Sequence, residues 1–413
     1  MSSILIKNIK TLLQTDPHGK PRLLARGSEM THIPQIHDAY LLIENHRIAA
    51  YGSMDDCPDR ADKTIDAAGR MVLPAWCDSH THIVYAAGRE GEFVVRINGL
   101  TYEQIAERGG GILNSAQRLQ QTSEDDLLQS AFARLQEMIA MGTGAIEIKS
   151  GYGLSVDAEI KMLRVVRRLR GMTDATIKAT FLGAHAIPTE YKHDRAAYIK
   201  LITDEMLPRI AKENLAEYCD VFCDKGFYTV AETDLILKAA LKFGLKPKIH
   251  ANELDVSGGV QVGVANGAVS VDHLERITRT EIDCLLQSNT MPTALPGTSF
   301  FLRIPYAPAR EMIDAGLPVC LATDYNPGST PSGNMPFVWS LGCIQMRLTP
   351  EEALNAITLN GAAAMEIADT HGSIAVGKLA NIIVTKPVSS LAFLPYSYGS
   401  NWVETVILRG QVQ

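Results

Sequence analysis

Eight short apolar runs, each closed by polar residues or glycine, fill the middle of this 413-residue chain. They end at Asp78-Ser-His-Thr-His82, Ile148-Lys-Ser-Gly-Tyr152, Gly183-Ala-His185 and Phe222-Cys-Asp-Lys225. The other four end at Ile249-His-Ala-Asn-Glu253, Val271-Asp-His-Leu-Glu275, Thr293-Ala-Leu-Pro-Gly297 and Ala322-Thr-Asp-Tyr-Asn326. Helical patterns fill the gaps, from Glu124 to Met138, from Asp157 to Leu169, and from Thr233 to Phe243, where Gly244 stops the helix. Eight strands with interposed helices predict an α/β fold, a (β/α)₈ TIM-type barrel. The alternative, an open doubly wound sheet, lacks the Gly-x-Gly-x-x-Gly turn after its first strand.

The chain ends read differently. Ile4-Leu-Ile6, Ala39-Tyr-Leu-Leu-Ile43 and Arg47-Ile-Ala-Ala-Tyr51-Gly are β-branched segments divided by turns. Ala380-Asn-Ile-Ile-Val384 and Trp402-Val-Glu-Thr-Val-Ile-Leu408 match them. The expected organisation is a small β-sandwich domain built from both termini, residues 1–72 and 369–413, around a barrel of residues 73–368.

Bulk properties narrow the function. With 46% hydrophobic and 21% charged residues the composition is that of a soluble globular protein. A net charge of −7 argues against nucleic acid as a partner. Seven scattered cysteines form no Cys-x-x-Cys pair and predict reduced, buried thiols rather than a disulfide framework. The first residues hold no signal-peptide core, and no apolar stretch reaches the ~18 residues a membrane span needs. The expectation is a cytoplasmic protein with no membrane partner.

Of eleven histidines, five (His80, His82, His185, His250 and His273) fall at or just beyond inferred strand ends. In a barrel those ends gather at one mouth. On an extended strand His80 and His82 point to the same side, roughly 7 Å apart along it. On a helix they would diverge. Asp324 closes the last run, and Asn326-Pro-Gly after it opens a turn, so it is not a helix cap. Imidazoles with one carboxylate suit Zn²⁺ or iron and leave an open position for water. Calcium and magnesium ask for mostly oxygen ligands.

These residues carry a resemblance. The ordered set Asp78-x-His80-x-His82, His250, His273 and Asp324 resembles the amidohydrolase superfamily. Five further stretches are similar to the imidazolonepropionase family within it. They are Lys149-Ser-Gly-Tyr-Gly-Leu154, Phe181-Leu-Gly-Ala-His185-Ala-Ile-Pro, Asp220-Val-Phe-Cys-Asp, Ser270-Val-Asp-His-Leu-Glu275 and Ala322-Thr-Asp-Tyr-Asn-Pro-Gly-Ser329. The resemblance implies hydrolysis of the ring amide of 4-imidazolone-5-propanoate to N-formimidoyl-L-glutamate, in histidine degradation. It implies one metal ion, Zn²⁺ or Fe²⁺/Fe³⁺, held by His80, His82, His250 and Asp324. Asp324 is then placed to take a proton from the attacking water. His273 or His185 stabilises the oxyanion, and Glu253 exchanges a proton with a substrate ring nitrogen. By the same carry-over Arg89 and Tyr152 hold the propionate tail, with His185, Asn326, Gly328 and Ser329 lining the pocket. The small-molecule substrate thus carries a carboxylate, and a homodimer is implied.

Three departures stand out. Many relatives bridge two metals with a carboxylated lysine on the fourth strand, but Lys225 falls past that run, which favours one metal. Trp76-Cys77 replaces small residues, and Asn381 stands where an Asp is common. A purine-type deaminase or another cyclic amidohydrolase of the superfamily would share the metal site with less need of Arg89. A barrel that only binds partners would not need the ligand set. Gly109-Gly-Gly111 has the wrong spacing for a phosphate cradle and is expected to be a lid loop.

Overall fold

The computed structural model describes residues 3–16, 21–99 and 111–413. Five strands come first: β1 (Ser3–Leu13), β2 (Gln35–Glu44), β3 (Arg47–Ser53), β4 (Lys63–Asp66) and β5 (Met71–Pro74). Eight follow in the middle of the chain: β6 (Trp76–Thr81), β7 (Thr143–Lys149), β8 (Thr176–Ala184), β9 (Tyr218–Cys223), β10 (Lys246–Ala251), β11 (Ser270–His273), β12 (Met291–Ala294) and β13 (Cys320–Leu321). The last three are β14 (Ile382–Thr385), β15 (Val403–Leu408) and β16 (Gln411–Val412).

Strands β6 to β13 lie side by side in chain order, every neighbouring pair parallel. The ring closes just past β13. There Thr81 bridges to Tyr325, His82 donates its backbone N–H to Tyr325 O (2.9 Å), and Asp324 donates to His80 O (3.0 Å). This is the expected TIM-type barrel. Its eight strands coincide with the eight apolar runs, because parallel strands covered by helices are buried on both faces.

Helix starts differ from expectation by a few residues where a cap decides them. The helix expected from Thr233 spans Val230–Lys242. Thr229 accepts the Glu232 N–H and Glu232 reaches back to the Thr229 N–H, a reciprocal cap that begins the helix three residues earlier.

The termini build a separate sheet of eight strands, ordered β16-β15-β14-β5-β1-β2-β3, with β4 beside β1. Ile6, Ile9, Leu41, Ile48, Val72, Ile382 and Ile407 form an apolar core of its own. Three tryptophans pin the barrel to its surroundings. Trp76 from β6, Trp339 from the helix Met335–Met346 and Trp402 just before β15 meet edge to face, with centroids 5.9 to 6.1 Å apart. Trp76 also donates Nε1–H to Met141 O (2.8 Å). The side chain of Asn381 accepts the Arg409 N–H (2.7 Å) at the sheet edge. All seven cysteines are unpaired. Among the described residues no helix is long and apolar enough to cross a membrane.

Candidate metal centre and active site

The barrel interior is charged where most such barrels are filled with branched apolar side chains. His80 Nδ1 meets Asp272 Oδ2 at 2.6 Å, and His250 Nδ1 meets Asp220 at 3.0 Å. Lys149 and Lys248 both pair with Glu147. His80 and Asp272 (β6 and β11) and Lys248 and Glu147 (β10 and β7) sit on strands that are not neighbours, so these contacts cross the interior. Asp220 on β9, in contrast, lies beside His250 on β10, and Glu147 shares β7 with Lys149. All of them are buried.

At the mouth, His80, His82 and His250 each bring a ring nitrogen within 4.8 Å of the other two. His80 Nε2 and His82 Nε2 are 3.2 Å apart. Asp324 Oδ1 lies 3.5 Å from both. Its Oδ2 accepts hydrogen bonds from Thr298 (2.6 Å) and Ser329 (3.1 Å). Backbone φ is +56° at Asp324, +56° at Asn252 and +86° at His273. Non-glycine residues held in that region cluster at functional sites.

Burial, and the positive charge around them, hold His80 and His82 well below their usual range, so both rings are neutral. The Asp272 carboxylate accepts a hydrogen bond from His80 Nδ1–H, which fixes the ring's one proton on Nδ1 and leaves Nε2 as a lone pair facing its neighbours. His82 Nδ1 is buried without a hydrogen-bond partner. Lone pairs converging in a buried site, with carboxylates behind the far nitrogens of His80 and His250, are the donor set of a divalent metal ion. The residues fit such an ion.

His185 stacks on His82 with centroids 5.5 Å apart. Burial lowers its pKa to about 3. Its Nδ1 meets Gly151 O at 3.0 Å, and a carbonyl can only accept, so Nδ1 carries the proton and Nε2 is an acceptor. His273 lies between two acids, with Nε2 3.7 Å from Glu253 and Nδ1 3.5 Å from Glu275. Burial disfavours its charge, but the two acids outweigh burial and hold the imidazolium well above the usual range. Burial pushes the Glu253 carboxyl up, against the pull of His273.

Arg89 pairs with Glu92 through Nε (2.9 Å) and Nη2 (2.6 Å). Gly328 presses against this guanidinium so closely that a Cβ would overlap it. Asn326 fixes the turn, its Oδ1 accepting the Gly328 and Ser329 N–H groups at 2.7 and 2.8 Å. Tyr152 packs against His82 and His185. Every site residue expected from the sequence except His80 lines one cavity of about 520 Å³, and His80 lies directly beneath it. Lys225 is exposed and pairs with Asp255 (3.2 Å), away from the cavity. Gly109 and Gly110 lie outside the described residues. Gly111 opens the helix Gly111–Gln121 and donates its N–H to Glu92 (2.9 Å).

Sequence reasoning missed the apolar side of the cavity, Ile112, Phe222, Phe227, Leu254, Leu302 and Ile304, together with Arg96. Phe222 and Phe227 stack at 4.0 Å. It also missed Asp220, Asp272 and Glu275 as partners of the histidines. A signal existed: charges at alternate positions of apolar strands, as in Glu147-Ile-Lys149 and Lys248-Ile-His250, mark one inward face.

The Amidohydrolase family profile matches residues 71–412. The chain belongs to the amidohydrolase family. An imidazolonepropionase of Christiangramia forsetii is 56% identical over 411 residues, covering 99% of this chain and 100% of the relative. One from Flavobacterium psychrophilum is 57% identical over 409 residues, 99% of each. One from Alkaliphilus oremlandii is 41% identical over 414 residues, 99% of this chain and 97% of the relative. Among solved structures, a zinc complex of atrazine chlorohydrolase from Arthrobacter aurescens superposes with TM-score 0.73 at 18% identity, covering 99% and 94% of the two chains. A zinc-bound adenosine deaminase from Xanthomonas campestris gives 0.71 at 16%, covering 100% and 92%. These two likenesses extend to the amidohydrolase fold.

Proposed function

We propose that the chain opens the ring amide of 4-imidazolone-5-propanoate with water, giving N-formimidoyl-L-glutamate. What supports the reading most is one cavity holding both a neutral imidazole cluster and the Arg89 guanidinium. The first suits a metal-activated water and the second a carboxylate tail. The metal is Zn²⁺ or iron, with His80, His82, His250 and Asp324 as its ligands. Such an ion supplies Lewis-acid activation of water at neutral pH.

The protein groups do the rest. Arg89 grips the propionate, and Tyr152, Asn326, Gly328 and Ser329 shape its seat. Asp324 accepts the proton of the attacking water, its other oxygen already saturated by Thr298 and Ser329. Oxygen adds to the ring carbonyl. The imidazolium of His273, held charged by Glu253 and Glu275, faces the developing oxyanion. His185, whose Nε2 can only accept while neutral, receives a substrate N–H, so the oxyanion role passes to His273. The C–N bond breaks as the adduct's hydroxyl loses the second water proton and becomes a carboxylate. Glu253 relays that proton to the leaving nitrogen and returns to its anionic form, and Asp324 releases the first proton to solvent. Phe222 and Phe227 form an apolar wall for a small planar ring.

The test is the loss of imidazolone absorbance when metal-loaded protein is added without oxygen, with formimidoylglutamate as product. Turnover of guanine or adenosine in its place would favour the deaminase reading. We further place the protein in the cytoplasm as a homodimer, which light scattering checks. We set the division between terminal sheet and barrel at Ala75, between β5 and β6.

A further inference from the structure

We infer that Lys149 is a positioning residue for the metal site, tying together the two carboxylates that orient His80 and His250. The inference rests on the reading of His80, His82 and His250 as ligands to one ion. Lys149 stands in β7 and is fully buried. Its Nζ donates to Glu147 Oε1 (2.7 Å) and Asp220 Oδ2 (2.8 Å) and lies 3.5 Å from Asp272 Oδ2. Asp220 accepts both the Nδ1–H and the backbone N–H of His250, at 3.0 and 3.1 Å. Asp272 accepts from His80 Nδ1 at 2.6 Å. One ammonium therefore reaches two ligand imidazoles, each through a single carboxylate.

The residue type fits. An ammonium carries three N–H donors on a compact head, and three carboxylate oxygens surround this one. A planar guanidinium aims its donors into a fork and could not serve three oxygens arranged around a point. Without the cation, Asp220 and Asp272 face each other in a fully buried interior where like charges repel strongly. They would swing apart and carry the imidazoles with them. Lys248 supplies the control. It is equally buried and pairs with Glu147. It acts on Asp272 only through space, making no ion pair with Asp220 or Asp272 among the described residues. Its removal therefore leaves both carboxylates tied by Lys149.

The test compares wild type, Lys149→Met and Lys248→Met by zinc dissociation constant, from chelator competition at fixed pH. The visible spectrum of the cobalt(II)-loaded forms is read alongside. Loss of an outer partner of a ligating histidine typically weakens metal binding 10- to 100-fold. That loss is expected for Lys149→Met, with altered cobalt bands, and little change for Lys248→Met. Equal loss in both variants means general loosening of the barrel and overturns the inference, as does wild-type affinity in Lys149→Met. Failure of the wild type itself to bind zinc or cobalt overturns the site reading instead. Should Lys149→Met not fold, Lys149→Gln takes its place. It keeps donors for only part of the cluster, so weaker zinc binding supports the inference and unchanged binding overturns it.

Discussion

Replacing Arg89 with Ala removes the cation proposed to hold the substrate tail, and the structure sets the size of the effect. A two-pronged carboxylate clamp makes two charge-assisted hydrogen bonds, worth roughly 1.5–3 kcal/mol each. Their joint loss of about 3–6 kcal/mol corresponds to a fall in kcat/KM of about 10²- to 10⁴-fold. The surroundings push the loss to the upper part of that range. Glu92 now neutralises its charge against Arg89 at 2.6 Å. In the variant it keeps the Gly111 N–H and the pull of Arg96 but loses its ion-pair partner, and its added negative charge at the mouth repels the incoming carboxylate. Arg89→Ala combined with Glu92→Ala should therefore recover part of the loss. The assay is kcat/KM by imidazolone absorbance, run on the natural substrate and on an analogue whose propionate is replaced by a neutral ester. The natural substrate should lose about 10³-fold or more in Arg89→Ala, and the ester only a small factor. Equal losses on both would refute the clamp, because they would show that Arg89 acts on the ring chemistry or on the fold.

Further outcomes follow from the same geometry. Asp324→Asn keeps the Thr298 and Ser329 contacts but removes the base, so turnover should vanish while circular dichroism stays native. His250→Ala should abolish turnover and also lower bound metal, read by elemental analysis. Chelation should inactivate the enzyme, and added Zn²⁺ or Fe²⁺ should restore activity. Far from the site, burial depresses His371 from 6.5 to about 4. Between those values the unfolded chain takes up a proton that the folded chain refuses, so stability falls as pH falls through this window. The slope is ~1.4 kcal/mol per pH unit. His371→Gln retains hydrogen-bonding groups for Thr176 and Thr370. It should flatten the stability–pH curve by about one proton between pH 6.5 and 4. An unchanged slope in urea titrations would count against it.

Much of this site could be read from the sequence because its parts are local. A ligand at the end of an apolar run stays at the end of the strand, and closure of the barrel brings all such ends to one mouth. That logic alone brings His80, His82, His250, His273 and Asp324 to one mouth, where the structure has them together. Their partners do not follow from it. Asp272 lies 192 residues from His80 in sequence, and which strand it faces across the interior is decided only when the barrel closes. The contact of Glu275 with His273 depends on a left-handed turn at His273 and Leu274, which the residue types do not announce. The helix start at Val230 is written in Thr229-x-x-Glu232, where the reciprocal cap outweighs the apolar pattern that begins at Thr233.

The protein's three tryptophans are all spent at one place. Intrinsic emission thus reports on a single junction, where the first barrel strand meets the returning end of the chain. Denaturation followed by fluorescence will register separation of the terminal sheet from the barrel. Titration with metal or substrate, in contrast, should leave the spectrum nearly silent, and ligand binding will have to be followed by other means.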